Sequence, residues 1–251
     1  MARLACPAVG SDAGLPPRLG KPAVPQPIRR APVTDLRAGI FRHVAEAVAA
    51  SAGMVLFALT VHSGMPWTLL SAAGLVTAAA AIGLSLAGAP SACTLLGIAR
   101  PSANAKTLLM IAAGLLVGGG LAVVYRLYVG LAAMPAGGLE AFVLLACLIG
   151  AAEEVVYRGY VQGRLSGLGW PAAVVLAAAA HAAYKTALFA LPATPYEVNY
   201  LFMAAWTLLG GIAFGMLRQF SGSLAPPVAA HAAFDLVVYG AMAEAPWWVW
   251  G

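Results

Sequence analysis

Beyond residue 40 the chain is a succession of apolar runs, separated by short stretches that carry most of the prolines. A helix rises about 1.5 Å per residue, so ~20 apolar residues cross the hydrocarbon core of a bilayer. Seven runs come near that length, at roughly 43–61, 67–89, 107–128, 138–162, 168–189, 199–218 and 224–243. They are rich in Ala, Leu and Gly and do not alternate, which argues against a β-barrel. Pro66, Pro90, Pro101, Pro135, Pro171, Pro192, Pro195, Pro226 and Pro227 fall at or near run ends, where helix breakers belong. Backbone in lipid must satisfy its own hydrogen bonds. The expected fold is therefore all-α, a polytopic transmembrane bundle of about seven spans.

Residues 1–40 read differently. They hold seven of the 17 prolines and six basic residues, with no run of spanning length. This segment is expected to be a disordered, basic, proline-rich cytoplasmic tail. Residues 41–104 then supply two N-terminal transmembrane helices and a cytoplasmic loop, and residues 105–245 form the core.

Composition supports the membrane assignment, since 62% of residues are hydrophobic and only 9% charged. A soluble domain carries about 25% charged residues. The net charge of +5 does not point to nucleic acid, because the basic residues sit between spans and form no patch interleaved with aromatics. Their distribution is an orientation signal. With a cytoplasmic N-terminus, Arg100, Lys106, Arg158, Arg164, Arg218 and the basic residues up to Arg42 lie towards the inside, and only Arg126 and Lys185 towards the outside. Trp247, Trp248 and Trp250 would then anchor the outer interface. The Ala/Gly bias resembles that of a high-GC bacterial genome, and the expected location is the bacterial inner membrane.

Chemistry enters with the polar residues inside the runs. Glu153 and Glu154 are adjacent in the fourth run, with Arg158 one turn on. A carboxylate at that depth costs roughly 2.5–3.5 kcal/mol on insertion scales, so it marks function by default. Glu154 and Arg158 are four apart and share a face, leaving Glu153 about 100° round the helix for other work. His181 lies among alanines in the fifth run, and His231 is followed at four residues by Asp235 in the last. Counted from the inner ends, Glu153 and His181 lie about 18–19 Å deep, and His231 and Asp235 roughly 10–18 Å. One stratum therefore receives all four, and a water-accessible cavity shared by Glu153, Glu154, His181 and His231 and open to the cytoplasm is expected. Glu46 and Glu140, near run ends, read as interfacial.

The Glu153-Glu154-Val155-Val156-Tyr157-Arg158 stretch resembles the E-E-x-x-x-R motif of the CPBP family, the CAAX-protease and bacteriocin-processing intramembrane proteases related to Rce1. Ala177 to His181 is similar to its F-x-x-x-H motif, with Ala177 in place of phenylalanine. His231 to Asp235 is similar to H-x-x-x-N/D, with an acid where an amide is common. The resemblance spans about 105–245. It implies an intramembrane endopeptidase acting on a membrane-associated peptide or protein. Glu153 would activate a water, His181 would help to hold it, and Glu154 and Arg158 would orient the site. His231 and Asp235 would face the developing oxyanion.

Glu153, His181 and His231 would also make a hydrolytic zinc set with one open position. No H-E-x-x-H is present, and the resemblance favours a metal-free, glutamate-activated water. A non-catalytic reading competes with both. The same buried cluster would serve a membrane immunity or scaffold protein, or a transporter, although no internal repeat is visible.

Overall fold

The proline-rich stretch ends at Pro32, and a helix begins at the next residue. In the computed structural model, the described residues are 33–61, 67–87, 92–98, 105–135, 139–190 and 199–242. Helix α1 (Val33–Thr60) is followed by α2 (Trp67–Ala87), a short α3 (Ala92–Leu96) and α4 (Ala105–Tyr128). Then α5 (Ala141–Glu154) runs through a π-helical stretch, Val155–Val161, into α6 (Gln162–Leu165). After a 3-10 turn at Ser166–Leu168 come α7 (Trp170–Ala190), α8 (Tyr200–Ser221) and α9 (Ala225–Tyr239). The protein is an all-helical bundle. Four helical segments, Gly39–Thr60, Ala105–Tyr128, Trp170–Ala190 and Tyr200–Ser221, are long and apolar enough to cross a membrane.

Each expected run has a helix over it, with α5, the π stretch and α6 together filling the fourth. The first helix corrects one boundary. It starts at Val33, inside the segment expected to be a tail, because the prolines stop at Pro32 and polar residues past a membrane edge can still be helical. The rest of the tail and the C-terminal tryptophans lie outside the described residues.

Packing explains where the core sits. The α1–α2 pair leans on the remainder through α1 against α7, while α4 lies along α9, α5 against α9, and α7 against α8. Small residues permit the close crossings. A Cβ built on Gly118 of α4 would overlap the Ala230 carbonyl of α9, so this contact requires glycine. Pro226 and Pro227 open α9 in its first turn, where a missing N–H costs nothing.

Two charges expected at the interfaces turn out to be structural. Arg126 is buried, donates from Nε to the Ala132 carbonyl (2.6 Å) and from Nη1 to that of Val238 (2.9 Å), and so covers the exposed carbonyls ending α9. Glu46 bridges Arg42 (2.9 Å) on its own helix and Arg164 (3.2 Å) of α6, which ties α1 to the fourth span. Glu140 does sit at a helix start, as the N-cap of α5.

Candidate active site

The polar residues singled out in the sequence converge. Glu153 and Glu154 end α5, and Arg158 lies in the π stretch, where the wider winding shifts the following side chains round the axis. His181 projects from α7, and His231 and Asp235 from α9. Glu153, Glu154, Arg158, His181, His231 and Asp235 are all buried. Gly150, one turn before the glutamates, makes room for this. A Cβ there would fall 2.6 Å from Asp235 Oδ2 and 2.8 Å from the His231 ring.

A guanidinium only donates, and this orders the hydrogen bonds. Arg158 Nη1 lies 3.1 Å from Glu154 Oε1 and 2.9 Å from His181 Nδ1. His181 Nδ1 must then be the acceptor, which places the ring proton on Nε2. That Nε2–H donates to Glu153 Oε2 at 3.1 Å. Tyr157 stacks on the His181 ring with centroids 4.6 Å apart and fixes its plane. An unbroken chain, Arg158 to His181 to Glu153, thus aims one carboxylate. Ala177, where the related motif has phenylalanine, is buried in the core, and His181 keeps its place.

On the other side, Nδ1 of His231 donates to Glu154 Oε1 at 2.8 Å. Its Nε2 faces Glu153 Oε2 at 3.8 Å and Asp235 Oδ2 at 4.0 Å, both beyond direct hydrogen bonding. Asp235 Oδ2 is buried and has no protein donor.

One member of the cluster escaped the sequence reading. Lys185 Nζ lies 2.6 Å from Glu153 Oε1, so a residue counted only as an outer charge is the direct counter-ion of the central carboxylate. It is four residues from His181, and that spacing on one helix face was the available signal.

Neither of two cavities that reach the cluster is lined by all four residues expected to share one. A cleft of about 420 Å³, mouth included, lies between α4, α8 and α9, where Leu121, Trp206, Phe214 and Phe234 meet Arg158, His181 and His231. Neither glutamate lines it; both stand behind the histidines. A second, polar cavity lies at the α6 and α8 ends of the bundle and also reaches Arg158.

For a metal, the cluster is a poor host. No group of three His, Cys, Asp or Glu side chains with ligand geometry occurs among the described residues. His181 already uses both ring nitrogens, and the Lys185 and Arg158 cations lie against the same groups. A divalent ion at Glu153, His181 and His231 would have to displace one of them.

These features define a polytopic helical membrane protein with a buried carboxylate–histidine centre. Residues 135–237, which contain all six site residues, match the family described as type II CAAX prenyl endopeptidase Rce1-like. That segment is similar to the CAAX-protease family, and the similarity is to membrane proteases. Comparison with curated proteins and with solved structures finds no match.

Proposed function

We propose that the protein is an intramembrane endopeptidase in which Glu153 activates water without a metal. The observation that carries this reading is the aligned chain from Arg158 through His181 to Glu153. A general base must be held within reach of the proton it takes. In this reading His181 holds the base, supported by its contact with Glu153. In the proposed reaction Glu153 removes a proton from water as the oxygen attacks the scissile carbonyl. The tetrahedral intermediate then expels the amine, which takes the proton back from Glu153 as the C–N bond breaks. Lys185 keeps the carboxylate in its ionised, accepting form between turnovers. His231, whose ring lines the cleft, and Asp235 stand on the side where the oxyanion would form.

Substrate would enter by the cleft, whose apolar and aromatic walls suit a membrane-embedded or membrane-anchored peptide. The test is cleavage of membrane-anchored peptides by the protein in proteoliposomes made with H₂¹⁸O. One ¹⁸O in each new C-terminal carboxylate is expected. Intact peptides across a broad set of anchored sequences, from protein shown to be folded, would overturn the reading in favour of a binding role.

The N-terminus is proposed to be cytoplasmic. Reporter fusions after Arg218 should then read cytoplasmic and those near Ala193 external, and the opposite pair of signals would invert the topology.

Asp235 provides a finer test. An amide donates to an oxyanion without needing a proton, while a carboxyl must first be protonated. If Asp235 acts as a donor, Asp235→Asn should keep activity within about tenfold, the upper end of an ordinary hydrogen bond's net contribution, and extend it to higher pH. A loss of equal size at every pH would show instead that the carboxylate acts as an acceptor for His231.

A further inference from the structure

The second cavity shares only Arg158 with the aligned chain and with the cleft. It encloses about 630 Å³, mouth included, and its polar lining comes from Thr94, Arg158, Gln162, Ser166, Arg218 and Gln219. Among the described residues no carboxylate lines it. Arg158 is 1% exposed, yet its Nε and Nη2 have no protein acceptor, since the Glu154 and His181 contacts use Nη1. Arg218 Nε is likewise buried and unpartnered, and its Nη2 makes one long bond, 3.3 Å, to the Leu95 carbonyl. Among the described residues no acid lies within ion-pair distance of Arg218. Arg158 has Glu154 on Nη1 only and Arg218 has no acid partner among these residues, so two guanidiniums with unpartnered nitrogens line one space, and an anion there would satisfy both.

Location narrows its chemistry. Ser166 directly follows α6, Arg218 and Gln219 are in the last turn of α8, and Thr94 is on the short helix between α2 and α4. Helix ends at one level of a membrane bundle meet the headgroup layer, where basic pockets between helices take lipid phosphates. Arg158 lies seven residues before Leu165, so the pocket extends roughly 10 Å inward from that level.

We propose that this cavity is a phosphate-binding site, filled by an anionic phospholipid headgroup or by free phosphate, with Arg158 and Arg218 as its two arms. The guanidinium that would hold the phosphate also holds Glu154 and His181. Occupancy therefore reaches the carboxylate–histidine centre through one residue, as a coupling between two sites. The inference does not depend on the protease reading, and its test does not measure cleavage.

The full chain in neutral detergent is titrated with dioctanoyl phosphatidylglycerol, with inorganic phosphate, and with phosphate-free dioctanoylglycerol. Binding is read from the thermal midpoint, and the His181 environment from ¹⁵N-histidine resonances. A saturable rise in midpoint with a phosphate-bearing probe, accompanied by a His181 shift, is expected. Saturation by the lipid alone identifies the headgroup as the source, and saturation by inorganic phosphate identifies the free ion. Arg218→Gln should weaken binding at least about tenfold, as loss of one charge-assisted contact does. Arg218 packs on Gly97, so a second variant guards against misfolding. Ser166 is exposed, and Ser166→Asp places a repelling carboxylate at the mouth without touching the core. Equal midpoint rises in wild type and both variants, no saturable response to either phosphate probe, or an equal response to dioctanoylglycerol would overturn the site. Phosphate binding without movement of the His181 resonance would overturn the coupling.

Discussion

Glu153→Gln should lower peptide cleavage by roughly 10²–10⁴-fold, the range a positioned general base contributes. The two side chains are nearly the same size, and the amide oxygen still accepts from His181 Nε2–H, so the packing of α5 against α7 is preserved. What disappears is the group that can take a proton. The amide would also present its NH₂, or an uncharged oxygen, to the Lys185 ammonium that now lies 2.6 Å from Glu153 Oε1. That ammonium loses its counter-ion, and part of any effect could be loss of fold. A double variant, Glu153→Gln with Lys185→Met, removes the stranded charge. The single variant should show a lower thermal midpoint than the double, and neither should cleave. Recovery of cleavage in the double variant would show that Glu153 serves only to neutralise Lys185, and the proposed base would have to be found elsewhere.

The helices and the site were legible to different degrees, for different reasons. An all-helical bundle could be read because burial in lipid leaves a composition that needs no tertiary information: a carboxylate or lysine is costly there, and each apolar run records that cost. The convergence of Glu153, His181 and His231 could be read because depth follows from counting residues along antiparallel helices. Lys185 was missed because the same counting gives depth but not azimuth. Only the packing of α7 against the π stretch turns its long side chain towards Glu153. The π stretch itself leaves no mark in Val155–Val161 that distinguishes it from α-helix. Glu46 was placed at an interface by its position, whereas its pairing with Arg164 depends on α1 crossing α6, a contact between segments more than a hundred residues apart. The start of α1 at Val33 was hidden for a simpler reason: outside the hydrocarbon core a helix need not be apolar, so hydropathy marks where lipid begins and not where the helix does.

Arg158→Ala should destabilise the fold by about 3–5 kcal/mol, the cost of removing one side of a buried ion pair. Arg158 is 1% exposed and Glu154 is fully buried, so water cannot take over the lost contact. The loss reaches further than that pair. His181 Nδ1 would lose its only donor, and with it the reason for the ring proton to remain on Nε2 and point at Glu153. Glu154 would retain only His231 Nδ1. Arg158→Lys separates the two effects. It restores a positive charge near Glu154, but an ammonium has no planar fork with which to hold carboxylate and imidazole together. The Lys variant should therefore recover most of the stability and little of the activity. Thermal or denaturant midpoints in detergent, measured beside cleavage, check this directly. Wild-type stability in Arg158→Ala would mean that the pair with Glu154 contributes nothing net to the fold, and that the guanidinium serves the imidazole alone.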